Sequence, residues 1–336
     1  MKRVLIFGIS GMDGSHMADF LLPKGIEVHG IVRRSSRGYG ALQNIKHLVD
    51  DPNIYRKTLF LHAGDLDDAS SIERVMKEVQ PDYVFSYAAQ ADVQESFLMP
   101  EYSVMINSIG PLRILEAIRR HCPLARFYQA STSELFGDVG TALVQNEETP
   151  FNPQSPYAIG KLAAYFITKK YREAYGLFAV NGITFNHCSE RRTDDYLDRK
   201  VTRAVGRIKA GLQKELRLGN LKSYRDWTYA PEMVEAHWKM LNMDEPCDLA
   251  LGTGETHQVQ EWVDTAFEVA GLKAEDYVII DPYLFRPAEV DTLRADCTKA
   301  RQLIGWEPKV SFREIITKMV ENDIILGEQE AAIKKV

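Results

Sequence analysis

A doubly wound α/β sheet with parallel strands is the fold class this sequence predicts, and three observations predict it. Short apolar runs alternate with stretches of helical period over residues 1–185. Glycines at a spacing of three separate the first run from the first amphipathic stretch. Each polar cluster that stands out lies just past an apolar run, where such sheets bind ligands.

Val4 to Ile9 is continuously apolar, as a central strand buried on both faces requires. It runs into Gly8-Ile9-Ser10-Gly11-Met12-Asp13-Gly14, after which Met17, Ala18, Phe20, Leu21 and Leu22 carry a helical stripe. Any tight strand-to-helix turn can call for glycine. Placed between strand and helix, these glycines instead favour close approach to a dinucleotide pyrophosphate, with the helix N-terminus facing its charge. Glu27 to Arg33 is a second strand. It ends in Arg33-Arg34-Ser35-Ser36, where an acid would be expected for a free ribose 2′-hydroxyl. Two guanidiniums suit a 2′-phosphate, so NADP is expected and NAD is less favoured.

Ser35 to Asn44 reads as a loop, and Asn44 to Leu48 begins a short apolar piece. Leu59 to Ala63 is a third strand, followed by Gly64-Asp65-Leu66; Asp65 suits an adenine amino group or a turn cap equally well. Ile72 to Val79 is helical. Tyr83 to Tyr87 is a fourth strand, and its small end, Ala88-Ala89-Gln90-Ala91, leaves room for backbone under a cofactor. A helical pattern from Tyr102 to Ile118 contains Pro111, an expected kink. Phe127 to Ala130 is strand five, a helix spans Tyr157 to Tyr175, and Val180 to Phe185 is strand six.

The chemistry is concentrated between strand five and the helix after it. Tyr157 and Lys161 are four residues apart and share a helix face. A phenol titrates near pH 10, and an adjacent ammonium is expected to lower that value. The spacing alone is weak: 15 Tyr and 41 Lys+Arg in 336 residues give about two such pairs by chance, and Tyr165/Lys169 and Tyr196/Lys200 repeat it. Position singles out Tyr157, which follows a Pro suited to a helix start. Upstream, Thr132 offers a hydroxyl and Glu134 a carboxylate just past a strand end. Together they are equipped to move a proton off an alcohol while a hydride leaves its carbon.

The composition is that of an ordinary globular chain, 45% hydrophobic and 26% charged, with a net charge of −6 that offers no support for nucleic-acid or membrane-surface binding. Four scattered cysteines lack metal-ligand spacing and read as free thiols of a reducing compartment. The apolar run after Met1-Lys2-Arg3 is too short for a signal peptide, so a cytoplasmic protein is expected, with no metal. From Asn186 the apolar rhythm changes. Helices are expected at Val201–Leu212, Met233–Leu241, Val259–Val269 and Phe312–Ile325, strands at Leu216–Leu221 and Leu249–Gly254, and a frayed charged tail from Gly327.

Taken together, the glycine fingerprint, the basic strand-two end, the Ser/Thr turn and Tyr-x-x-x-Lys resemble the extended short-chain dehydrogenase/reductases. Longer segments narrow the resemblance to GDP-mannose 4,6-dehydratases. They include Val28–Ser36, Phe127–Gly137, Glu148–Phe151, Phe185-Asn186-His187, Leu218–Leu221, Arg225-Asp226-Trp227 and Phe285–Asp291. The resemblance implies a Rossmann NADP domain at 1–185 with returning segments near 225–255 and 286–295. A smaller, interleaved sugar-nucleotide domain would take 186–224, 256–285 and 296–336.

The implied chemistry gives Tyr157 and Lys161 the 4-hydroxyl proton, Thr132 the developing oxyanion, and Glu134 the C5 proton and the departing water. It places the cofactor at Gly8 through Gly14, Arg33, Arg34, Asp65, Leu66, Ala88–Ala91 (Ala89 and Gln90 included), Tyr102, Tyr157, Lys161, His187 and Arg192. It places a GDP-sugar at Ser133, Asn186, Lys200, Arg225, Arg286 and Glu289, and implies a homodimer or homotetramer in which the 35–44 loop crosses to a neighbour. A GDP-heptose or GDP-hexosamine, or a 4-epimerase or reductase activity, stands as the alternative. The family pattern Asn-His-Glu-Ser-Pro-Arg-Arg-Gly, then Phe-Val-Thr-Arg-Lys, is departed from here: Cys188 replaces the Glu, Glu190 the Pro, and Asp198 the Thr.

Overall fold

The computed structural model describes residues 1–33, 42–138, 144–285, 288 and 290–334. Six strands follow the expected alternation: β1 (Arg3–Phe7), β2 (Glu27–Val32), β3 (Leu59–Ala63), β4 (Tyr83–Ser86), β5 (Arg126–Ala130) and β6 (Ala179–Thr184). Leu249–Leu251 adds a seventh at the edge, giving the order Leu249–Leu251, β6, β5, β4, β1, β2, β3. All pairs are parallel, with Phe7 of β1 opposite Ile31 on one side and Ser86 on the other. Strand order therefore reverses beside β1, and the crevice past the ends of β1 and β4 is the switch point where ligands lodge.

Period-two alternation divides β1 between two cores. Val4 and Ile6 pack with Met17, Leu21, Met233 and Val234. Leu5 and Phe7 pack with Ile72, Val75, Ile114 and Leu115 on the opposite face. A third core, formed by Val201, Val205, Leu216, Leu218, Trp262, Phe267, Ile316 and Met319, stands apart from the sheet. The chain passes between them: Ala230–Met240 returns to the sheet before Val259–Val269 joins the smaller core. Cys297, Ala300 and Trp306 pack with the sheet-side core. We therefore propose that the smaller unit resumes near Val310 instead of at 296. The helix Pro100–His121 continues through Pro111.

The tail corrects an expectation. It does not fray at Gly327: a single helix runs from Phe312 to Ile333, started by a reciprocal Ser311/Glu314 capping box. Gly327 is a crossing point, not a stop. It lies against the backbone of Gly206, and a methyl built on Gly206 would overlap the Asp323 carbonyl. Gly206→Ala should lower the melting temperature in thermal unfolding. Overpacking costs about 1–3 kcal/mol and outweighs a helix-propensity gain of about 1 kcal/mol.

Candidate active site

A cleft of about 1280 Å³ opens at the switch point, between the sheet and the smaller core. Its floor is the turn after β1. Gly8 takes φ 86° and lies so close to β4 that a side chain would meet Ala88 N at 2.8 Å. Gly11 donates to the Gly8 carbonyl at 3.0 Å and is the N-cap of the Met12–Leu21 helix, so the turn aims the helix N-terminus into the cleft. Ser10, Met12, Asp13 and Gly14 line it, while Ile9 is fully buried beneath and does not. At the end of β2, exposed Arg33 donates to the Tyr102 hydroxyl at 3.2 Å. Arg34 and the expected 35–44 crossing loop lie wholly or largely outside the described residues.

Thr132, Ser133, Glu134, Tyr157 and Lys161 share one wall of this cleft. Ser155 caps the Pro156–Tyr175 helix by accepting from Ala158 N at 3.1 Å, and Pro156 occupies its first turn, so Tyr157 faces the cleft. Thr132 caps the turn Ser133–Leu135, accepting from Glu134 N at 3.2 Å. Its hydroxyl also bonds to the Tyr157 phenol. Lys161, 4% exposed, donates to the Ala130 carbonyl at 2.9 Å and lies 5.9 Å from the Tyr157 ring centre.

The expected lowering of the phenol is not what this geometry produces. Burial raises the Tyr157 pKa well above 10; the Thr132 bond opposes the shift, and the charge of nearby Glu134 adds to it. Lys161 is itself pushed down to about 8 by burial, against the pull of Asp13. Its ammonium is directed at a carbonyl, and the desolvation of both groups dominates.

Asp13 is the charge around which the far wall is arranged. His187 Nε2 lies 3.0 Å from both Asp13 oxygens, and Nδ1 lies 3.0 Å from the Phe185 carbonyl. Both ring nitrogens face acceptors, an arrangement that favours the doubly protonated ring. Burial favours its neutral form, but Asp13 outweighs that and raises the pKa. Burial likewise tends to raise Asp13, while His187 foremost, then His237 and Arg192, hold it well below the usual carboxylate range. Asn186 and Lys200 line the same space; Asn186 Oδ1 is buried without a hydrogen-bond partner among the described residues.

Other candidates vary. Leu66, Ala88, Ala89, Ala91, Tyr102, Arg192 and Arg225 line the cleft, and Asp65 lines it while also forming a turn with Asp67 N at 3.1 Å. Gln90 does not line it. Its side chain accepts from Ser103 Oγ at 2.8 Å, anchoring the loop to the Pro100–His121 helix. Arg286 and Glu289 lie outside the described residues. Tyr165 packs against Phe151, away from the cleft, whereas Tyr196 and Lys200 line its other wall. Asn44, Tyr196 and Asn322 were not anticipated at the cleft. Asn44 staples the glycine turn to the opposite loop by donating to Ser10 O at 3.2 Å and Arg191 O at 3.0 Å. Among the described residues no cluster could hold a metal ion, and no helix is long and apolar enough to cross a membrane.

Comparison with known proteins gives consistent matches. The family model described as GDP-mannose 4,6 dehydratase matches residues 5–319. The GDP-mannose 4,6 dehydratase 2 of Arabidopsis thaliana is 48% identical over 99% of this chain and 89% of its own length. The human GDP-mannose 4,6 dehydratase is 44% identical over 96% and 91%. Among solved structures, UDP-glucose 4-epimerase of Thermus thermophilus in complex with NAD superposes with a TM-score of 0.81. It is 28% identical, covering 96% of this chain and 98% of that one.

Proposed function

This chain belongs to the GDP-mannose 4,6-dehydratase family, and on that premise we propose how its cleft performs the reaction. The enzyme is a hydro-lyase: GDP-mannose loses water and becomes the GDP-4-keto-6-deoxy sugar. The observation that carries the mechanism is the meeting of Glu134 with Thr132, Tyr157 and Lys161 in one cleft. A plain epimerase or reductase has no work for Glu134, and family membership does not favour a GDP-heptose or GDP-hexosamine.

The residues present fit a nicotinamide dinucleotide. The Gly8–Gly14 turn leaves backbone exposed at a helix N-terminus, and β2 ends in Arg33 with no acid there. We assign the pyrophosphate to that turn, the adenosine end to Arg33, Tyr102, Asp65 and Leu66, and the nicotinamide end to Ala88, His187 and Arg192. When bound, the nicotinamide would supply a hydride acceptor at sugar C4 and, once reduced there, the hydride donor at C6.

Tyr157 takes the proton from the 4-hydroxyl and Thr132 Oγ1 steadies O4 as charge develops. The raised phenol of the ligand-free protein becomes a base only when cationic charge is brought beside it. A ketone at C4 acidifies C5; Glu134 removes the C5 proton and passes it to the departing 6-hydroxyl, so water leaves. A solvent proton returns to C5 as the hydride reaches C6, matched by release of the 4-hydroxyl proton that Tyr157 took. Lys161, fixed on the Ala130 carbonyl, holds ribose hydroxyls and keeps positive charge near the phenol. Asn186, Lys200 and Arg225 take the GDP end.

Incubation with GDP-, CDP- and dTDP-sugars should give a product lighter by one water with GDP-mannose foremost. Loss of water from a dTDP-sugar alone would overturn the substrate assignment. NADP is our reading of the cofactor. Arg33→Ala should weaken NADPH binding about tenfold and leave NADH nearly unchanged, as fluorescence titration would report. A cytoplasmic dimer or tetramer belongs to the same proposal, and light scattering would test the assembly.

A further inference from the structure

Two departures from the family pattern meet in space. Asp198, near the start of the Leu197–Lys209 helix, is 5% exposed, and Cys188 is fully buried. The Cys188 thiol is pushed well above its ordinary value by burial and then by the Asp198 charge, to which it is hydrogen-bonded. Asp198 Oδ1 also lies 3.3 Å from Arg192 Nε. Arg192 is held further by the His187 carbonyl, to which Nη1 donates at 2.8 Å, and by the Tyr196 ring 3.9 Å away. Nη1 is hydrogen-bonded, Nε meets the Asp198 charge without hydrogen-bond geometry because Oδ1 accepts from Arg199 N at 2.8 Å, and Nη2 has no hydrogen-bond partner among the described residues.

Exchanging only the family Glu for Cys188 would leave a buried guanidinium without its carboxylate. Exchanging only the Thr for Asp198 would crowd two carboxylates into one buried space. Each costs several-fold in function or stability, and together they cancel. Glu190, the other acid gained nearby, also lines the cleft and accepts from the Tyr229 hydroxyl at 3.2 Å.

We infer that Asp198 is the positioning residue for Arg192, supplying from the helix the carboxylate that the family pattern carries at the position of Cys188. The inference rests on the reading of Arg192 as a cofactor-side residue. The Asp198 charge, together with the His187 carbonyl and the Tyr196 ring, holds the guanidinium in place and so leaves the remaining arm for the cleft.

The test is NADPH affinity of cofactor-free protein, read by fluorescence alongside its melting temperature. Asp198→Asn keeps size and shape and should weaken NADPH about tenfold with little change in melting. Asp198→Thr and Cys188→Glu should each weaken it at least as much, while the double variant Cys188→Glu/Asp198→Thr should return to within about threefold of the parent. Parental affinity in Asp198→Asn overturns the inference, as does a double variant no better than the worse single. Arg192→Gln separates the two readings. If it binds NADPH like the parent, the cofactor-side placement fails. If it binds weakly while Asp198→Asn binds normally, only the role of Asp198 fails. Should a single exchange not fold, the Asp198→Asn and Arg192→Gln pair decides alone.

Discussion

Replacing Glu134 by Gln should cut formation of the 4-keto-6-deoxy product about a thousandfold while the fold and cofactor affinity stay at the parental level. Gln matches Glu in size but cannot accept the C5 proton at neutral pH. The turn that presents the residue depends on Glu134 backbone N and Thr132 Oγ1, not on the carboxylate, so the substitution leaves that turn in place. Removing the base stops the sequence after the C4 ketone has formed. In deuterated water the parent should deliver a product labelled at C5, and the variant should show neither product nor exchange at that carbon. A variant that eliminates water at the parental rate would remove dehydration from this residue. An enzyme that only oxidised or epimerised C4 would not register the change.

What was legible in the sequence was local. β1, the Gly8–Gly14 turn, the Thr132/Glu134 cap and the Ser155-Pro156-Tyr157 helix start each lie within a dozen residues. Periodicity, caps and turn chemistry operate over that range. The Tyr157 titration was misjudged for the opposite reason. An i, i+4 ammonium can be read from spacing, but the burial that raises the phenol and the Ala130 carbonyl that takes the ammonium belong to tertiary structure. Asn44 and Asn322 reach the cleft from segments more than two hundred residues apart, and no local pattern marks either of them. Gly327 shows the reverse error: the glycine from which the tail was expected to fray lies inside a helix, where two helices touch.

Lys161→Met should do two opposite things, lowering turnover about a thousandfold and raising the melting temperature of the ligand-free protein by a few degrees. The native ammonium is 4% exposed, and burial takes its pKa from 10.5 to about 8. A base whose folded value lies below its unfolded value loses stability wherever it must stay protonated. The penalty is full below about pH 8, on the order of 3 kcal/mol, and fades as pH rises toward 10.5. Met fills the same space without the charge, at a cost of about 1 kcal/mol for the unpaired Ala130 carbonyl. Calorimetry should therefore find the variant's advantage widest near pH 7 and narrowing above pH 8. An equal or lower melting temperature at pH 7 would mean the fold carries this charge without strain. A persistent advantage would locate a cost at the one position where the reaction needs a cation beside Tyr157 and hydrophobic burial opposes it.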